Sequence, residues 1–213
     1  MRLIGLTGSK NSGKGEVARF IAEWAAERSL LAVDRGFADK LKWAMARIFW
    51  PDITMQDAIV WANEFKNDSN AAVVVCDITD GEPRKVITGR ELFQHGGTEM
   101  GRDIFGDTFW VDMLLPTTRL LINTWEDSFW TPEPEADPAN IATISDVRFD
   151  EEANRITLLG GQIWAIHRPG CEPDGHASEV PLGDVHLTRV IPNNGSLDDL
   201  RAKVNKLCEE TFA

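Results

Sequence analysis

The stretch Arg2-Leu3-Ile4-Gly5-Leu6-Thr7-Gly8-Ser9-Lys10-Asn11-Ser12-Gly13-Lys14-Gly15-Glu16-Val17 decides the fold. It opens with a short, mostly apolar run, Arg2 to Leu6, that reads as a strand, and Thr7 to Gly13 reads as a Gly/Ser-rich loop. Val17, Phe20, Ile21, Trp24 and Ala25 then recur at helical spacing and predict a helix over 14–28. The loop fits the pattern Gly8-x-x-x-x-Gly13-Lys14. Glycines so placed let the backbone form a nest of N–H groups around phosphate oxygens. The following helix adds its positive end, and the lysine reaches the outer phosphates. From average glycine and lysine usage, such a string arises by chance in roughly 0.05 of chains this long, and few chance matches would also lie between a first strand and a first helix. Gly8, Lys10, Asn11, Ser12, Gly13, Lys14, Gly15 and Glu16 are therefore the candidate nucleotide-phosphate residues. Gly15 stands where a Ser or Thr ordinarily ligates Mg²⁺, so a metal would be held by other groups, by water and by the nucleotide. No metal ligand is assigned.

Outward from this stretch, helices alternate with buried-type strands, which predicts an α/β fold with a largely parallel sheet. Strands are expected over 30–33, 71–78, 141–147, 162–167 and 185–191. Helices are expected over 37–49, stopped by Pro51, over 57–65, and over 88–105 with an interruption at Gly96-Gly97. A further helix runs over 107–125 from an Asp107 cap with a break at Pro116, followed by helices over 151–159 and from Ser196/Asp199 to about 210. Asp80 to Pro83 is a turn, and the acidic, Pro-rich stretch 131–139 is an exposed loop. The chain reads as one domain over 1–213. Residues 51–87 read as an insertion or acceptor-binding subdomain, and 168–181 as a lid-like loop.

The 213 residues carry 22 Lys plus Arg against 34 Asp plus Glu, a net charge of −12. So acidic a surface argues against gripping a nucleic-acid backbone, while a few converging cations still suit a small anionic ligand. No apolar run approaches the ~20 residues of a membrane span. The three cysteines, Cys76, Cys171 and Cys208, form no CxxC pair and read as reduced thiols in a cytoplasm. The four histidines show no metal-ligand spacing. Of the eight tryptophans, most are expected in the core.

A kinase of phosphorylated acceptors needs a second anion site, for which the planar fork of Arg is suited. Two segments offer one: Gly89-Arg90 through Gln94 to Gly97-Thr98-Glu99 and on to Trp110, and Asp146-Val147-Arg148 with Glu152. The second follows a predicted strand end, where open α/β sheets bind ligands. Gln94 lies one helical turn beyond Arg90 on the same face. Each residue also has a plainer reading, Glu152 as a helix-start carboxylate and Trp110 as core.

Taken together, these pieces resemble the bacteriophage deoxynucleoside monophosphate kinases. The likeness is carried by five pieces in order. The first two are the loop at 8–14 and Phe37-Ala38-Asp39-Lys40-Leu41-Lys42. The third runs from Arg90 through Gln94 and Gly97-Thr98 to Trp110. The fourth is Asp146-x-Arg148 with Glu152, then Arg168-Pro169-Gly170. The last is His176 with Glu179, then Asn194-Gly195-Ser196-Leu197. The Gly-Lys-Gly string is similar to that of adenylate kinases, though Glu16 departs from their usual Thr, and residues 51–87 match poorly.

The resemblance implies a P-loop fold of the nucleoside monophosphate kinase type, with a mainly parallel sheet flanked by helices. It implies transfer of the ATP γ-phosphoryl group to a deoxynucleoside monophosphate with Mg²⁺, small-molecule nucleotides as the only ligands, and a homodimer. By position, Lys10 and Lys14 serve the phosphates. Lys10, Arg90, Gln94, Gly97, Thr98, Trp110, Asp146, Arg148 and Glu152 line the acceptor, and Arg168 lies on the ATP side. Lys14, Arg148 and Arg168 are the expected catalytic cations. Two alternatives stand beside this: a P-loop kinase of another small metabolite such as dephospho-coenzyme A, and a non-catalytic nucleotide-binding module.

Overall fold

The computed structural model describes residues 2–76, 83–115, 140–171, 182–183 and 186–212. In chain order the elements begin with β1 (Arg2–Thr7), α1 (Lys14–Ala26), β2 (Ala32–Arg35), α2 (Asp39–Phe49), α3 (Met55–Asn67), β3 (Ala72–Cys76), β4 (Pro83–Thr88) and α4 (Gly89–Gly97). A π-helical turn (Thr98–Arg102) follows, then α5 (Asp103–Phe105), α6 (Phe109–Leu114), β5 (Ile141–Ile144), α7 (Asp150–Leu158), β6 (Gln162–His167), β7 (Arg189–Pro192) and α8 (Leu197–Phe212). The chain divides into two units, Met1–Gly36 with Leu115–Ala213, and Phe37–Leu114.

The first unit is a five-stranded sheet in the order β2-β5-β1-β6-β7, and every pairing in it is parallel. Both faces of such a sheet must be covered, which explains the apolar runs of its central strands. Ile4 and Leu6 of β1 with Trp164 and Ile166 of β6 bury one face against Val17, Phe20, Ile21 and Trp24 of α1. The stripe Leu200, Val204, Cys208 and Phe212 of α8, spaced four apart, belongs to the same core. On the other face, a Cβ at Gly5 would meet Ile163 Cδ1 at 2.7 Å and Ile156 Cδ1 of α7 at 2.8 Å, so β1 and α7 approach as closely as they do because position 5 has no side chain. Ser196 and Asp199 start α8 as a reciprocal cap: the Ser196 N–H donates to Asp199 Oδ2 at 2.8 Å and the Asp199 N–H to Ser196 Oγ at 3.1 Å. The Ser196 N–H, then the Ser196 hydroxyl, which donates to the same Oδ2 at 2.8 Å, hold the Asp199 carboxyl below its ordinary range.

The second unit packs α2, α3 and α4 around Leu41, Met45, Ala62 and Phe93. Thr54 and Thr88 cap α3 and α4, the latter with Glu91 bonding back to Thr88. The antiparallel hairpin β3-β4 completes it. Residues 51–76 and 83–87 fall inside this unit.

Several expected boundaries move, for physical reasons. β2 runs over 32–35 rather than 30–33, because Leu31 is occupied by Asn140: its N–H donates to the Asn140 side chain and its carbonyl accepts the Asn140 N–H. β5 stops at Ile144 instead of Val147. The strand β4 has no counterpart in the expected pattern, since residues 83–86 are all exposed and carry no burial alternation. The α-helix ends at Gly97, the expected point of interruption; a Cβ at Gly96 would stand 2.9 Å from Met45 Sδ, so the pair is also where α4 lies against α2. The irregularity falls just after, at the π-helical turn. The next helix starts at Phe109, with Thr108 rather than Asp107 bonding into its first turn through Asp112. β7 covers 189–192. Trp24 and Trp164 are buried, but Trp50 is exposed and Trp43, Trp61 and Trp110 are half-buried, because three of these belong to a line of ring contacts from Phe49 and Trp50 through Trp61 to Phe65 and Phe93, and to the Phe109–Trp110 pair, at the second unit's surface. The turn at 80–82, Pro116, the loop 131–139 and residues 172–181, with His176 and Glu179, lie outside the described residues. Among the described residues no helix is long and apolar enough to cross a membrane.

Burial pushes the Cys208 thiol up to about 12, whereas Cys76 is exposed and Cys171 half-buried. With a thiol-specific chromogenic reagent at pH 8, Cys208 is expected to stay silent in the folded protein and to react only on addition of denaturant. Prompt modification of Cys208 under native conditions would contradict the packing of α8.

Candidate functional site

The loop from Gly8 to Gly13 leaves the carboxyl end of the central strand β1 and turns straight into α1, the location at which open α/β sheets bind ligands. Its backbone needs glycine at two places. Gly8 has φ 140° and a Cβ there would sit 2.4 Å from the Ile166 carbonyl oxygen. Gly13 has φ 109°, the left-handed region, and caps α1 with no side-chain hydrogen bond. Asn11 also takes a left-handed φ of 63°, which Asn tolerates better than most residues.

The carbonyls of this loop are turned to side chains. Lys14 Nζ donates to Gly8 O at 2.6 Å and to Ser9 O at 2.9 Å. Arg168 Nη1 donates to Asn11 O at 3.3 Å, and Cys171 Sγ lies 3.6 Å from the same oxygen. Asn193 Nδ2 donates to Ser12 O at 2.8 Å. The Ser12 N–H is donated to Ser9 O at 3.1 Å; with these carbonyls occupied, the backbone can offer its other N–H groups to an anion, with the positive end of α1 behind them. Ser12 Oγ is buried and has no hydrogen-bond partner among the described residues. That orphaned hydroxyl and the side-chain-free cradle at Gly8 fit a phosphate group. Lys10 is exposed beside them, and Glu16 in the first turn of α1 pairs with Arg19. A Cβ at Gly15 would meet nothing within 4 Å, so the missing hydroxyl there is not imposed by packing. Among the described residues no group of three acidic, His or Cys side chains is disposed to hold a metal.

In the same unit, Asp146 sits in the turn after β5, half-buried, and Arg148 is exposed. Because the strand ends at Ile144, strand alternation, which puts residues two apart on one face, does not extend to them. Glu152 is buried at 5% exposure, and its Oε2 accepts the N–H of Arg148 at 2.7 Å and of Phe149 at 3.1 Å. That is the helix-start reading of this carboxylate.

In the second unit, Arg90 and Gln94 are exposed on α4, and Thr98 follows at the start of the π-helical turn. At four-residue spacing the three share a side of the helix. Gly97 is half-buried, and its carbonyl accepts the Trp110 indole N–H at 2.8 Å. The indole also lies against Gly101, where a Cβ would be 2.5 Å from Trp110 Nε1. Trp110 thus braces the π-helical turn, a local geometry common at functional sites. Asp39 and Lys42 form a largely buried ion pair at 3.1 Å.

The sequence reading overlooked two groups. Asn193 is one. The other is Asp34 at the end of β2, whose carboxylate accepts the hydroxyls of Thr143 at 2.7 Å and Ser145 at 3.0 Å. Both lie at carboxyl ends of strands, where ligands gather in such sheets, and that general rule is what could have found them.

This loop on this sheet defines a P-loop α/β protein of the nucleotide-kinase class. No protein-family model matches the chain. Over 207 residues, 96% of this chain and 94% of the relative, it is 30% identical to an Acanthamoeba polyphaga mimivirus protein named "Putative deoxynucleotide monophosphate kinase". The chain belongs to the deoxynucleotide monophosphate kinase family.

Because Glu152 bonds two backbone N–H groups from a buried position, Glu152→Ala should lower stability by about 1–3 kcal/mol in denaturant unfolding. Glu152→Gln, which keeps an acceptor oxygen, should recover most of it. A stable Glu152→Ala protein altered only in acceptor binding would assign the carboxylate to the ligand instead.

Proposed function

We propose that the chain transfers the γ-phosphoryl group of ATP to a deoxynucleoside monophosphate. An oxygen of the acceptor phosphate bonds to the γ-phosphorus, the bond from that phosphorus to the β–γ bridging oxygen breaks, and ADP leaves with the electron pair. A deoxynucleoside diphosphate is the other product. The observation that carries the reading is the loop of residues 8–14, with its carbonyls taken by Lys14, Arg168 and Asn193 and with Ser12 Oγ buried and orphaned. The named relative supplies the acceptor class.

Phosphoryl transfer asks little covalent chemistry of the protein; it asks for in-line positioning and neutralised charge. On this reading the loop N–H groups and Lys14 hold the ATP phosphates, and Lys10 adds charge at the loop. Arg168 neutralises the moving group. Arg90 and Arg148 fix the acceptor phosphate, while Gln94, Gly97, Thr98 and Trp110 shape the acceptor's surroundings, with Asp146 orienting an arginine. An ionised acceptor phosphate is already a nucleophile, so no strong general base is demanded. Mg²⁺, when bound, would shield charge on the phosphate oxygens; with Gly15 after Lys14, it would be held by other groups, by water and by the nucleotide. The proposal extends to a homodimer, to a bacteriophage member of the family and to work in the host cytoplasm. These points rest on the sequence resemblance, and on the composition for the last. Sedimentation equilibrium reads the first of them.

The test is ADP release from Mg²⁺-ATP with dGMP, dTMP, dCMP, dAMP and their ribose counterparts. Turnover with at least one deoxy acceptor and little with ribose acceptors is expected. ATP binding without turnover on any acceptor would favour the non-catalytic module. Lys14→Ala should lose about 10²–10³-fold in kcat. Gln94→Ala should change relative kcat/KM among the acceptors while leaving the KM for ATP in place.

A further inference from the structure

We propose that Asn193, in the β7–α8 loop, is a positioning residue for the phosphate loop: it locks the Ser12–Gly13 peptide in the orientation that aims the Gly13 N–H at the nucleotide phosphates. The role rests on the ATP-binding reading above and adds to it a residue from the far end of the chain.

A peptide unit is planar and trans, so its C=O and N–H point in opposite directions. Asn193 Nδ2 holds the Ser12 carbonyl at 2.8 Å. The N–H of the same peptide belongs to Gly13 and therefore points away from Asn193. Such a peptide is the one most prone to flip, because the residue after it is a glycine with φ 109° and glycine populates either sign of φ. A flip would present the Ser12 carbonyl to the phosphates in place of an N–H. The amide of Asn193 opposes that flip twice over. It bonds the carbonyl, and it fills the space beside Gly13, where a Cβ would lie 2.7 Å from Asn193 Nδ2.

Asn193 is itself held. Its N–H donates to the His167 carbonyl at 2.7 Å, one residue before Arg168. Lys203 of α8 donates to Pro192 O at 2.7 Å and to Asn194 Oδ1 at 3.2 Å. The loop's exit is set by the Ser196–Asp199 cap of α8. Two strands and a helix thus fix one amide, and the amide fixes one peptide of the phosphate loop.

The experiment measures ATP dissociation constants, thermal midpoints and steady-state constants for the intact wild-type chain, Asn193→Ala, Asn193→Asp and Lys203→Ala. Asn193→Ala should bind ATP about tenfold more weakly, the factor an ordinary hydrogen bond carries. Its KM for the acceptor should be unchanged. Lys203→Ala removes one support of the same loop without touching Ser12, and should weaken ATP binding by less than Asn193→Ala does. Asn193→Asp puts a carboxylate against a carbonyl oxygen. It should weaken ATP binding at pH 8 and recover relative to wild type toward pH 5, since a carboxyl facing a carbonyl is pushed above its usual range of about 4 and, once protonated, donates again.

A merely structural bond would show no such recovery, and the recovery is read within a single folded variant. Wild-type ATP affinity in Asn193→Ala, or a pH-independent ratio for Asn193→Asp, would overturn the assignment while leaving the kinase reading intact. Failure of the wild-type chain to bind ATP would overturn the kinase reading and the role of Asn193 with it.

Discussion

A backbone that offers its N–H groups to an anion has to satisfy its carbonyls on the other side, and the first unit is organised around that requirement. Within the loop at 8–13, Ser9 O accepts the Ser12 N–H and Gly13 O the Val17 N–H, but the carbonyls of Gly8, Asn11 and Ser12 take side-chain donors. The loop obtains these donors from three separate places: Lys14 from its own helix, Arg168 from the end of β6, and Asn193 from the end of β7. The strand order makes this possible. β6 and β7 follow β1 in sequence across one half of a fully parallel sheet, so their carboxyl ends open on the same edge as the loop. A single antiparallel strand at either position would carry its following residues to the opposite edge. The cores on the two faces of the sheet serve the same end, since they keep β1, β6 and β7 in register to the level of a single hydrogen bond.

Much of this was legible in the residues. The loop glycines, the helix after them and the strand Gln162–His167 could be read directly, because a nest and a buried parallel strand leave strong local signatures. The strand ends were not. Asp34 and Arg35 extend β2 beyond its apolar stretch, since polar residues are tolerated where a strand emerges at a ligand-binding edge, and an apolar run measures only the buried part. β4 escaped because hairpin pairing in an exposed ribbon depends on backbone bonds that sequence alternation does not record. Gly96 and Gly97 mark both the end of α4 and a contact: glycine in a helix signals either, and only the position of Met45 and Leu41 shows the second. Asn193 carried no local signature at all, because its partner stands 181 residues earlier.

Glu152 and Trp110 illustrate how a site and its scaffold share residue types. Both were read as acceptor-lining, and both make bonds that shape backbone: Glu152 to the N–H groups of Arg148 and Phe149, Trp110 to the Gly97 carbonyl. Arg148 and Gly97 are themselves among the candidate binding residues. A carboxylate that fixes the main chain beside an arginine, or an indole that fixes a helical irregularity beside a threonine, affects a ligand through its neighbour. Sequence position alone cannot separate the residue that touches a ligand from the residue that holds it in place.

The combination of Gly15 with an overall charge of −12 sharpens what the cations must do. Space at Gly15 would admit a serine or threonine, so packing does not impose the glycine. On the proposed reading, a metal arriving with the nucleotide then has no hydroxyl at position 15 to tie it to the protein, and the Glu16 carboxylate in the same turn pairs with Arg19. The nucleotide is held instead by N–H dipoles and fixed positive charge. Lys14 bridges two carbonyls at the start of the loop, and Arg168 bonds a third further along. Against an acidic background these are the charges that make the loop attractive to a polyanion, and they act at short range, where screening by salt is least effective. Because each is bonded to the loop backbone, each also sets the geometry of the N–H groups it assists. In this loop the electrostatics and the conformation are supplied by the same side chains.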